Sequence, residues 1–92
     1  MKTMTSKKAK NPFLGMVNVG PATAEDLRRL GVHSIEELKN CNGQELYDRI
    51  SAMDGAKHDI CVLDTFNAII DNARTGDTKP WWYYSRLRKG EV

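Results

Sequence analysis

Four side chains in this sequence have the chemistry to bind a metal or move a proton: His33, Cys41, His58 and Cys61. Structural zinc sites use thiolates and imidazoles in closely spaced pairs. These four residues include no Cys-x-x-Cys pair and match no standard ligand spacing. No metal and no cofactor is therefore expected. His58-Asp59 beside the Cys61 thiol has the ingredients of acid–base and nucleophilic catalysis. Asp59, however, stands directly ahead of an apolar helical run and reads as an N-cap, with His58 as a loop residue. The sequence holds no glycine-rich nucleotide loop, paired-carboxylate helix motif or serine-centred elbow. A non-enzyme is expected.

The remaining chemistry is recognition. In Val17-Asn18-Val19-Gly20-Pro21-Ala22-Thr23-Ala24, an apolar turn runs into a helix start. Gly20 supplies backbone freedom, up to a positive φ. Pro21 fits the first helical position, where its missing N–H costs nothing. Backbone amides at such a helix start suit an anion, and phosphate is the commonest biological one. Arg28 and Arg29 follow near the helix end, as phosphate partners or as complements to the helix dipole.

The second recognition element is Trp81-Trp82-Tyr83-Tyr84 after Pro80. Such a run can stack on unpaired bases, anchor a protein interface or fold back to finish a small core. Consecutive residues cannot all point one way. One tryptophan and one tyrosine are expected against the main apolar helix, with another aromatic and Arg86, Arg88 or Lys89 outside.

Charge separates the chain into parts. Its 92 residues carry a formal net charge of +2, but Lys2, Lys7, Lys8 and Lys10 meet no acid in the first ten positions. Lys79, Arg86, Arg88 and Lys89 face Glu91 alone at the other end. Between Asn11 and Thr78, six basic residues stand against eleven acidic ones. The expectation is a disordered basic tail over 1–10, one folded domain over 11–86 and a basic tail over 87–92. Basic tails can track a polyanion by counterion release, or simply solubilise. Two cysteines without a secretory leader point to free thiols in a reducing, cytoplasmic setting. No apolar run approaches the ~20 residues of a membrane span.

Helical signals dominate the body. Asn11-Pro12 predicts a very short helix that buries Phe13, Leu14 and Met16. The next helix runs from about Pro21 to Leu30, with Glu25 and Asp26 early, and Gly31 closes it in a left-handed conformation. Ser34 and Glu37, then Asn42 and Glu45, have capping-box spacing. Leu46, Ile50 and Met53 mark one face of the helix after Asn42. Val62, Leu63, Phe66, Ile69, Ile70 and Ala73 form the strongest stripe, on a helix from about Asp59 to Arg74 that should be central to the core. Asp64, Asn67 and Asp71 are assigned to its other faces. No segment alternates as a half-buried strand does. The fold class is all-α, a bundle of four to five short helices.

Val17-Asn18-Val19-Gly20-Pro21-Ala22 resembles the helix-hairpin-helix motif, apolar-Gly-apolar-Gly leading into a helix. The continuation through Gly31-Val32, Ser34 to Leu38, Glu45-Leu46-Tyr47, Asp59 to Leu63 and Lys79-Pro80-Trp81-Trp82-Tyr83-Tyr84-Ser85 is similar to the small bacterial pathogenicity locus, or mitomycin-resistance, family. The hairpin half also resembles the C-terminal domain of the competence regulator TfoX. The resemblance implies weak, sequence-non-specific and salt-sensitive DNA binding, with phosphates on the amides of Val19, Gly20 and Ala22 and the Thr23 hydroxyl; Arg28 joins them from its place near the helix end. Asn18 replaces the motif's first glycine, and Ala22 stands where a lysine or arginine is common. The alternative is a protein-interaction module that uses Trp81, Trp82 and Tyr84 as its contact surface.

Overall fold

Local capping chemistry sets most of the helix boundaries. In the computed structural model, which describes residues 11–91, five helices follow one another: α1 (Pro21–Arg29), α2 (Ile35–Lys39), α3 (Gly43–Asp54), α4 (Ile60–Thr75) and α5 (Trp81–Lys89). Among the described residues there is no strand, as the periodicity requires. The basic stretch 1–10 lies outside the described residues.

Ser34 Oγ accepts the Glu37 amide at 3.1 Å, and the Glu37 carboxylate accepts the His33 amide at 2.7 Å. Asn42 Oδ1 accepts the Glu45 amide at 3.0 Å, and Asp59 Oδ1 that of Cys61 at 2.9 Å. Each bond satisfies an amide that the first helical turn leaves open. At the end of α1 the Val32 amide reaches back to the Leu27 carbonyl and the Gly31 amide to that of Arg28. This closure puts Gly31 at φ 82°, where a side chain would be strained.

The apolar core collects Leu27 from α1 and Leu30 from its C-cap, Leu38 from α2, Leu46, Tyr47 and Ile50 from α3, and Leu63, Phe66, Ile69 and Ile70 from α4. Each fully buried side chain of this size contributes roughly 1.5–3 kcal/mol of transfer free energy. α4 is central, since α2, α3 and α5 all pack on it. α5 sends no residue into the core cluster and is held to α4 largely through polar contacts.

Several local expectations change in three dimensions. Residues 12–16 form successive turns instead of a short helix. Asn11 Oδ1 accepts the Phe13 amide and its Nδ2 donates to the Ala24 carbonyl, which seats Phe13 in the core but leaves Leu14 exposed. Of the two helices expected to flank the hairpin, only the second, α1, is present among the described residues. Val19 packs on the core while Val17 stays exposed. Met53 is exposed because the last turn of α3 extends past the core. Glu25 and Asp26 lie beyond the first turn of α1 and pair with Arg28 and Arg29.

The largest correction concerns Asp64, which is fully buried and not on an outer face. Arg88 donates to it through Nε at 2.9 Å and Nη2 at 3.0 Å. Leu87, Arg88 and Lys89, assigned above to a tail, are therefore the final turn of α5.

Candidate nucleic-acid interface

Gly20 is the N-cap of α1, with φ −97° and ψ 179° and no side chain capping the turn. This is ordinary extended backbone, so the positive φ expected at Gly20 is absent. It falls instead on Asn18, at φ 70°, a conformation asparagine tolerates better than most residues. The Asn18 side chain is fully used. Its Nδ2 donates to Asn72 Oδ1 and to the Lys79 carbonyl, each at 2.9 Å, and its Oδ1 accepts the Trp81 amide at 2.9 Å.

That arrangement has two consequences. Asn18 turns inward, so the residue that replaces the motif's first glycine does not cover the outer face of the hairpin. It also ties the hairpin to the start of α5.

The nominated hairpin residues divide. The Val19 amide is committed to the Met16 carbonyl at 3.2 Å. Gly20 and Ala22 are exposed, and Thr23 is half-buried in the first turn of α1. Arg28 stands in the last turn of α1, roughly 10 Å along the axis from the helix start, and pairs with Glu25. It does not join the hairpin surface. The Arg28 guanidinium holds the Glu25 carboxyl below its usual range.

The aromatic residues divide too. Trp81 is 37% exposed and Trp82 50%, so neither completes the core. Tyr84 turns toward α4 and donates its O–H to Asp71. Burial, then this carboxylate, pushes the Tyr84 phenol up. Tyr83 meets Tyr84 edge-on with ring centroids 5.4 Å apart and lies under the Lys79 ammonium.

Beside the hairpin an open groove of about 440 Å³ runs between α1, α4 and α5. Ala22 and Thr23 form one wall, Val62 and Phe66 the floor, and Trp81 the far side. Along its rim Arg29 pairs with both Asp26 and Asp54, and His58 Nε2 lies 2.6 Å from Asp54 Oδ2. The Arg29 hydrogen bond, then that of His58, holds the Asp54 carboxyl below its ordinary value. Burial pushes Asp26 up.

The sequence matches the family described as pathogenicity locus over residues 6–90. The chain belongs to the pathogenicity locus family. The mitomycin resistance protein McrB of Streptomyces lavendulae is 39% identical over 74 residues, which cover 80% of this chain and 70% of that protein. No solved structure gives a significant match.

In this pathogenicity locus protein no three His, Cys, Asp or Glu side chains gather into a site among the described residues. Both cysteines are free. Burial pushes the Cys41 thiol up, and the hydrogen bond with Asp59 does the same for Cys61. Both shifts run opposite to thiolate activation. No helix among the described residues is long and apolar enough to cross a membrane. Sequence reasoning missed the three bonds of Asn18 and the Arg29, Asp54 and His58 rim. The only signal for Asn18 was its presence at a position where the motif has glycine.

Proposed function

We propose that this chain is a non-enzymatic, cytoplasmic module that binds DNA without reading its sequence, by holding phosphates at the hairpin. The carrying observation is the start of α1: it is exposed and no side chain caps it, so first-turn amides are left open for an anion. Gly20, Ala22 and Thr23 supply this surface. Lys2, Lys7, Lys8 and Lys10, which meet no acid in the first ten positions, are the candidates for phosphate neutralisation. A second reading, a protein-interaction module, draws on the exposure of Trp82.

Salt distinguishes the two readings. If lysines and arginines neutralise three phosphates, a fourfold rise in salt should weaken binding roughly 40-fold, whereas an aromatic protein interface should barely respond. The test is a titration of labelled DNA at two salt concentrations, with the full chain and with Met1–Lys10 removed. Absence of binding at low salt would sink the DNA reading. Binding that disappears with Met1–Lys10 would move the site from the hairpin to the tail.

A further inference from the structure

We propose that the groove between α1, α4 and α5 receives an unpaired nucleobase from the strand held at the hairpin, so that single-stranded or locally unpaired DNA is the preferred ligand. This rests on the DNA reading and adds the state of the DNA to it. At about 440 Å³ the groove falls within the size range of ligand clefts, roughly 300–1,000 Å³.

Its lining suits a base and not a phosphate. Val62, Phe66 and Trp81 offer an apolar and aromatic surface, and every base has a π-face that stacks on such a surface regardless of sequence. Trp81 is partly exposed there, whereas Phe66 is buried and serves only as floor. The rim sets the carboxylates of Asp26 and Asp54 against the single guanidinium of Arg29. A phosphate inside would face both acids. A neutral base would meet hydrogen-bonding edges from Thr23, Arg29 and His58.

Placement couples the two parts. Ala22 and Thr23 belong both to the first turn of α1 and to the groove wall. A nucleotide whose phosphate sits on the α1 amides therefore has its base one sugar away from the groove. In an intact duplex that base is stacked and paired, and must be extruded before it can enter.

The experiment compares two labelled oligonucleotides of equal length at one low salt concentration: an ordinary single strand, and a strand with the same phosphates whose residues are all abasic. The full chain should bind the ordinary strand about tenfold more tightly, the equivalent of ~1.4 kcal/mol, and its tryptophan emission should be quenched by that strand alone. Trp81→Ala, and Thr65→Phe as a groove-filling change from α4, should lower the ordinary strand to the abasic level without altering abasic binding. Thermal melting of each variant reports on its fold, and the quenching comparison needs no variant. Equal affinity for the two strands overturns the base slot and leaves the hairpin reading standing. Binding of neither strand overturns both. A preference for the ordinary strand over the abasic one that survives both variants in folded protein places the base elsewhere and overturns the proposal.

Discussion

Asn18 caps α5 from across the fold: its Oδ1 accepts the Trp81 amide at 2.9 Å although 63 residues separate them. The same side chain reaches Asn72 and the Lys79 carbonyl, so one residue fixes the hairpin, the end of α4 and the start of α5. The two recognition elements visible in the sequence are thereby tied together. Replacing Asn18 by alanine should cost about 2–4 kcal/mol, from three lost hydrogen bonds and a strained φ. Glycine at this position should recover about 1 kcal/mol by removing the strain. Urea midpoints of the two variants check this, and equal losses would mean that φ carries no cost.

Gly20→Val separates stability from binding. Gly20 has an extended backbone, and an added Cβ would meet nothing within 4 Å. The cost in stability should stay within about 0.5 kcal/mol. DNA affinity should nevertheless fall severalfold, because a branched side chain stands over the first-turn amides. Unchanged affinity in a folded variant would remove the hairpin from the interface.

Arg88→Ala should be among the most damaging surface-accessible changes. It leaves the fully buried Asp64 carboxylate unpaired, at a cost of about 3–5 kcal/mol. Asp64→Leu combined with Arg88→Met should recover most of that loss, since no buried charge is left behind. Removing residues 87–92 should destabilise at least as much as Arg88→Ala. Denaturant unfolding of the three proteins tests the set, and a harmless truncation would show that the pair contributes little.

Acid should loosen the groove rim. Arg29 and then His58 depress the Asp54 carboxyl below its ordinary 3.8. A depressed carboxyl stabilises the fold fully above the unfolded value, and that contribution fades as pH falls through the folded one. Melting temperature should thus decline below about pH 4. Asp54→Asn should have a shallower decline over the same interval. Parallel curves for the two proteins would assign the acid sensitivity to other carboxylates.

The sequence by itself determined α1 to α4 and their ends, but not α5 or the turns at 12–16. Ser34, Asn42 and Asp59 cap amides two or three residues away, and Gly31 closes α1 within five residues. Such interactions depend only on neighbours in the chain, so spacing reveals them. The Val62 to Ala73 stripe was legible for the same reason. Only the tertiary structure decided what joins the helices. Asn18 meets Asn72, Lys79 and Trp81 across 54 to 63 residues, and Asp64 meets Arg88 across 24. No local period records these pairings, because a polar side chain on a helix reads as solvent-facing until another helix covers it. The groove has the same origin: its lining comes from α1, α4 and α5, far apart in the chain.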